Sequence, residues 1–221
     1  MKICIIGFPR SRSSILLETI HLYHNIPILG EVINQLTKDY TVTPGTSISY
    51  RVLLKKYKNT TDGVIRFHPM QIGERPRHIT NPKYPKFELF EFDQYDKIYF
   101  THRESVSDII SSEFVAGQLK KYTYKFKEEL INVQPMTFQH EHHQIIKDHI
   151  YSEKLVENLK QYLKSNNIDW KDLYYNDIPL YLVTNYPNAK TFYIETNYDY
   201  KRIVTNYDDI LSLYNDYKNI I

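Results

Sequence analysis

Apolar residues along this chain alternate between two rhythms. Short continuous runs, Lys2-Ile3-Cys4-Ile5-Ile6, Gly63-Val64-Ile65-Arg66-Phe67 and Lys97-Ile98-Tyr99-Phe100-Thr101, read as strands buried on both faces. Between them, apolar residues recur at helical spacing. Leu16, Leu17, Ile20 and Tyr23 form one such stripe, and Val106, Ile109, Ile110 and Phe114 form a second behind Ser105 as its cap. Leu155, Val156, Leu159, Tyr162 and Leu163 form a third behind Ser152. Two later strands are expected at 172–175 and 191–194, with a helix over 178–186 between them. This pattern predicts an α/β fold, a three-layer and mostly parallel sheet flanked by helices. Ligands of such sheets bind beyond the carboxyl ends of the strands, where the first loop, His68 and Arg103 all fall.

The first of these transitions carries the chemistry. Strand residues 2–7 run into Phe8-Pro9-Arg10-Ser11-Arg12-Ser13-Ser14 and then into a helix, so unpaired N–H groups and the positive end of a helix dipole meet two arginines and three serines. That arrangement suits a phosphate or sulfate. It is not the nucleotide-hydrolase loop, because G-x-x-x-x-G-K-[ST] begun at Gly7 needs glycine and lysine where Arg12 and Ser13 stand.

Length and charge narrow the rest. The chain has 221 residues, 42% of them hydrophobic, and a formal net charge of +2, which suits a single domain over 1–221 and argues against a protein that coats nucleic acid or anionic membrane. A lone cysteine, Cys4, excludes an internal disulfide and reads as a small buried hydrophobe. The N-terminal apolar run stops at Phe8, too short for a signal-peptide core or a membrane span, so a cytoplasmic protein is expected. Its 21 tyrosines are spread through the expected helices and strands and read as packing residues with a wet hydroxyl. The stretches 37–61 and 120–149 fit the alternation least; the first ends in a helix through Tyr50, Leu53, Leu54 and Tyr57, and the second, with the cluster His140-Glu141-His142-His143, is assigned to the acceptor side as a solvated segment. The cluster lacks the H-E-x-x-H spacing, and no metal is expected.

Pro9-Arg10-Ser11-Arg12-Ser13-Ser14 resembles the phosphosulfate loop P-[KR]-S-G-T-T of the sulfotransferases, which use 3′-phosphoadenosine-5′-phosphosulfate (PAPS). It departs at Arg12, where glycine is usual. If that position needs glycine's backbone freedom, the loop here must take a different path. The stretch from Tyr99 to Ser111 resembles the family's strand followed by R-[ND]-P-x-D-x-x-x-S, whose arginine and serine hold the 3′-phosphate; Arg103 and Ser111 keep the separation, whereas Ser105 replaces the proline and the aspartate is displaced to Asp108. Arg66-Phe67-His68-Pro69 is similar to the K-T-H-x-P element, in which the histidine takes the acceptor's proton and the lysine, here Arg66, contacts the sulfuryl group. In the tyrosylprotein branch of that family a glutamate about as far along as Glu31 is the base, so His68 and Glu31 both stand as candidates. A looser likeness links 173–178 to a later family element, and the closing R-K-G signature is missing near Lys201 and Arg202.

The resemblance implies transfer of a sulfuryl group from PAPS to a hydroxyl or amine of a small-molecule, glycan or peptide acceptor, with Pro9, Arg10, Ser11, Arg12, Ser13, Ser14, Arg103 and Ser111 holding the nucleotide. It assigns Arg10 to the charge that builds on the leaving phosphate. In-line displacement with a positioned base needs no metal. A small-molecule kinase on the same kind of cradle is the alternative, and a nucleotide-binding module without catalysis is a third.

Overall fold

The computed structural model describes residues 1–8, 11–31, 62–72, 87–119, 133–188 and 199–220. Their contacts divide the chain into two compact units, Met1–His102 with Leu155–Thr191, and Arg103–Lys154 with Phe192–Ile221.

The first unit is built on a five-stranded sheet, β1 (Lys2–Gly7), β2 (Ile28–Glu31), β3 (Gly63–Phe67), β4 (Lys97–His102) and β5 (Lys171–Tyr174), in the order β2-β3-β1-β4-β5. Every pairing is parallel. This is the α/β class that the alternation predicts, a parallel sheet flanked by helices. The register sets Ile3 opposite Val64 on one side of β1 and Gly7 opposite Thr101 on the other. The chain builds outward from β1 in both directions, which makes the carboxyl end of β1 the topological switch point where such sheets take their ligands.

Alternation along the strands divides the core in two. Cys4 and Ile6, with Ile65, Phe67, Ile98 and Phe100, face a layer made by Phe87, Phe90 and Phe92 and by Val156, Leu159 and Leu163. Ile3, Ile5, Val64 and Tyr99 face the opposite layer, Leu16 and Ile20 of α1 (Ser13–His24) and Ile178 and Leu182 of a helix over Ile178–Asn185. Helices therefore cover both faces. Cys4 is fully buried, and burial drives its thiol well above the ordinary range, so it stays protonated and inert. In the second layer the Tyr181 hydroxyl donates to that of Tyr99 at 3.0 Å and Tyr186 lies 3.3 Å from it. These hydroxyls satisfy one another, where the sequence reading has them wet.

The second unit gathers a helix over Val106–Leu119, the start of a helix over His143–Ser165 and a C-terminal helix over Tyr207–Ile220 around Ile110, Phe114, Phe138, Ile146, Ile210 and Tyr214. Glu153 ties two of them together, accepting hydrogen bonds from the Tyr214 hydroxyl and from Lys218 at 3.4 Å, with His149 at 3.5 Å. Burial works against its carboxylate, but those hydrogen bonds and charges bring it down to about 2. A depressed carboxylate stabilises the fold above its ordinary value near 4.5 and loses that contribution as the pH falls toward 2. Thermal unfolding of the parent and of Glu153→Gln, followed from about pH 6 to about pH 3, should show the shallower acid loss in the variant.

Several expectations shift. The helix assigned to a Ser152 cap begins earlier, at His143, and Ser152 is an interior residue whose hydroxyl donates to the Asp148 carbonyl at 2.8 Å. The histidine cluster is partly packed, not wholly solvated: His140–His142 form a single 3₁₀ turn, with the His142 ring 4.7 Å from Phe114 and the His143 ring 5.9 Å from Phe138. Strand β2 and the C-terminal helix have no counterpart in the sequence reading. The segment 37–61, its helix through Tyr50 to Tyr57 and the strand at 191–194 lie outside the described residues.

Candidate functional site

The loop after β1 is fastened from within. Phe8 donates its N–H to the Thr101 carbonyl at 3.3 Å, and the buried Ser11 hydroxyl donates to the Phe8 carbonyl at 2.6 Å, so it accepts from the Thr101 hydroxyl 2.6 Å away. The Ser11 N–H also goes to Phe8. Ser11 thus spends its polar groups on loop shape. Gly7 is required where strand becomes loop, because a Cβ there would lie 2.5 Å from the Ser13 Cβ, 2.7 Å from the Ser13 Oγ and 2.9 Å from the Thr101 Oγ1.

Arg12 corrects an expectation. It adopts φ 61° and ψ 16°, the left-handed conformation that glycine takes freely, so the path is the one a glycine there would follow and not a different one. Its side chain helps to hold that conformation: the guanidinium donates to the Tyr175 carbonyl at 2.8 Å and lies 3.8 Å from the centre of the Tyr175 ring. Arg12→Ala keeps the backbone strain and loses both contacts, whereas Arg12→Gly loses the contacts but relieves the strain, worth roughly 1–2 kcal/mol. Urea unfolding should therefore rank Arg12→Ala as the less stable of the two variants.

Beyond Arg12 the first turn of α1 has no acidic residue and no side-chain cap. Its donors and its dipole point outward from Ser13 and Ser14. Arg66, on β3 opposite Ile5 of β1, brings a cation to the same place, its Nη1 donating to the Ser13 Oγ at 3.3 Å and to the Ser14 Oγ. Burial lowers the Arg66 pKa and Glu18 of α1 opposes that shift, but a guanidinium remains charged throughout the working range. The arrangement sets a largely desolvated positive charge beside the positive end of a helix. Such an arrangement suits an anion.

His68 follows the last residue of β3 and is half-buried. Glu31 ends β2 with its backbone paired to Arg66. Pro9 and Arg10 lie outside the described residues. Arg103 and Ser111 belong to the second unit. There Arg103 donates to Asp108 at 3.2 Å with only 7% of its side chain exposed, and its guanidinium is 5.7 Å from the Tyr200 ring. Asp108 also accepts from the Tyr207 hydroxyl at 2.7 Å, and Ser105 caps the helix through the Asp108 N–H at 3.2 Å. Ser111 is wholly buried, and its hydroxyl has no hydrogen-bond partner among the described residues.

One group absent from the sequence reading stands at the same sheet edge. His102, the last residue of β4, bonds through Nε2 to Asp172 of β5 at 2.6 Å, and Asp172 also accepts from Lys160 at 2.5 Å and from the Trp170 indole at 3.2 Å. Burial alone would raise the Asp172 pKa, but the hydrogen bonds and charges of His102 and Lys160 hold it at about 2. The available signal was a histidine two residues after Phe100, at the carboxyl end of a buried strand.

Among the described residues no three His, Cys, Asp or Glu side chains are grouped to hold a metal ion, and no helix is long and apolar enough to cross a membrane. No family model matches the chain, and no curated protein does. Among solved structures it is similar to shikimate kinase from Aquifex aeolicus at a TM-score of 0.38 and 15% identity, over 84% of this chain and 98% of that one.

Proposed function

We propose that this chain is a nucleotide-dependent group-transfer enzyme with a small hydroxyl-bearing acceptor, the donor's terminal anion lying at the first turn of α1. The observation that carries this reading is the Arg66 guanidinium on the Ser13 and Ser14 hydroxyls at a helix start without acid or cap. Preorganised cations and N–H donors of this kind stabilise the charge that builds during transfer.

Phosphoryl transfer, as in a small-molecule kinase, is the reading we place first. The two residues that would mark the sulfated donor by its 3′-phosphate are otherwise engaged or enclosed, Arg103 on Asp108 and Ser111 in the core of its unit. The loop has no lysine, and Arg66 supplies the cation instead. Sulfuryl transfer from PAPS is the second reading, favoured by the left-handed backbone of Arg12 at the place of the sulfotransferase glycine. In both, Arg10 would face the leaving phosphate and a base would receive the acceptor's proton, for which the sequence offers His68 and Glu31 as candidates.

Calorimetry with ATP and magnesium, adenosine 3′,5′-bisphosphate and adenosine 5′-phosphate separates the two. A kinase binds ATP and gains nothing from the 3′-phosphate. A preference for the bisphosphate over the monophosphate of more than about tenfold, lost in Arg103→Ala, would decide for the sulfated donor, since a charge-assisted contact contributes on the order of 1.5–3 kcal/mol. If none of the three nucleotides binds, the proposal fails.

A further inference from the structure

We infer that His102 is the proton acceptor of the transfer and that Asp172 positions it, an assignment that rests on the group-transfer reading above. Four observations converge on this pair. His102 ends a central strand, at the edge where ligands of parallel sheets bind. Its ring centre is 5.7 Å from that of Phe8, the first residue of the phosphate loop, whose N–H is held by the neighbouring Thr101 carbonyl. On another side it meets the Tyr174 ring at 5.3 Å, so its orientation is fixed by packing as well as by Asp172. The imidazole is also 17% exposed, enclosed enough to be held and open enough to be reached.

The hydrogen-bond inventory fixes the tautomer. Asp172 is a carboxylate that already accepts from Lys160 and Trp170, so toward His102 it can only accept, and the proton of the neutral imidazole must sit on Nε2. Nδ1 then carries the lone pair, and it makes no hydrogen bond to any described residue. A carboxylate holding three donors does not take up the ring proton. Asp172 is therefore a positioning residue, and the base is Nδ1. In the step, the acceptor's O–H proton passes to Nδ1 while the oxygen forms its bond to phosphorus, or to sulfur for a sulfated donor. The bond to the bridging oxygen breaks with its electron pair left on the departing nucleotide, and the imidazolium returns its proton to solvent. Neither His68 nor Glu31 is needed as base.

The test has a spectroscopic arm and a turnover arm. In the ¹⁵N-labelled protein, the neutral form of His102 should be the Nε2–H tautomer, and Asp172→Asn should disturb it. Release of phosphate from ATP with magnesium, or of sulfate from PAPS, with water as acceptor should fall by at least about 10²-fold in His102→Gln. Asp172→Asn, which keeps an acceptor for Lys160, should lower kcat with KM little changed, and nucleotide affinity should stay within about twofold of the parent in both variants. An Nδ1–H tautomer, or one indifferent to Asp172→Asn, overturns the assignment. So does undiminished release in a folded His102→Gln, which would make the pair a tie between β4 and β5. A parent that binds neither nucleotide refutes the group-transfer reading by itself, and with it the base, whatever the tautomer.

Discussion

Arg66→Met is expected to remove the protein's response to phosphate-bearing ligands while changing its ligand-free stability far less. The two effects separate because the guanidinium does different work in the two states. Without an anion, its hydrogen bonds to Ser13 and Ser14 are offset by burial of a charge beside the positive end of α1, and an apolar side chain of similar length fills the same volume. With an anion, the same charge gains charge-assisted hydrogen bonds in a partly desolvated site, where they are at their strongest. Thermal unfolding with and without ATP and magnesium, or with PAPS, is the measurement. The parent should gain several degrees at ligand concentrations about 100-fold above Kd, and Arg66→Met should gain almost none. Arg66→Lys should recover part of the response, because an ammonium restores the charge without the planar fork. A full ligand response in Arg66→Met would remove Arg66 from the site.

The second large effect is expected from one added methyl group. Gly7→Ala places a Cβ at 2.5 Å from the Ser13 Cβ, an atom fixed to the start of α1, and also within 3 Å of the Thr101 hydroxyl. Relief requires the helix start to move away from β4, which breaks the Ser11–Thr101 hydrogen bond and the link from Phe8 to Thr101. Overpacking at such a position costs about 1–3 kcal/mol, and the displaced donors no longer converge on one anion. Denaturant unfolding should show that loss, and calorimetry should show nucleotide affinity weakened by more than about tenfold, the equivalent of a lost charge-assisted contact. Parent-like values in both experiments would mean that Gly7 is not constrained by its neighbours.

Much of the sheet is legible in the sequence because strands buried on both faces are nearly continuous apolar runs. Residues 63–67 and 97–101 stand out for that reason, and so does the turn into α1, where arginines and serines interrupt the pattern. Strand β2 does not stand out. It is short, follows Pro27, contains Gly30 and has a register irregularity between Ile28 and Gly30. The C-terminal helix is amphipathic, with Ile210, Leu213, Tyr214 and Tyr217 on one side, but five of its residues are Asp or Asn and its stripe is aromatic as much as aliphatic. Ser152 misleads because a serine before an apolar stripe looks like a cap, while inside a helix the same hydroxyl can bond back to the carbonyl four residues earlier. Within the site, the loop and Arg66 are legible as charge and hydroxyl patterns. The His102–Asp172 pair is not, since it joins side chains 70 residues apart and depends on parallel pairing of β4 and β5.

That dependence bears on when the site exists during synthesis. Ser11 takes its hydroxyl partner from 90 residues downstream, Arg66 reaches back 52 and 53 residues to Ser14 and Ser13, and Arg12 is held by Tyr175, 163 residues later. An emerging chain that ends before Tyr175 has every loop residue yet lacks the contacts that hold Arg12 in its left-handed turn. Contacts this distant in sequence form only after the entropy of closing the intervening chain has been overcome. Nascent chains of increasing length should therefore capture nucleotide abruptly, once β5 and the residue after it have left the ribosome, and not gradually as the loop itself appears.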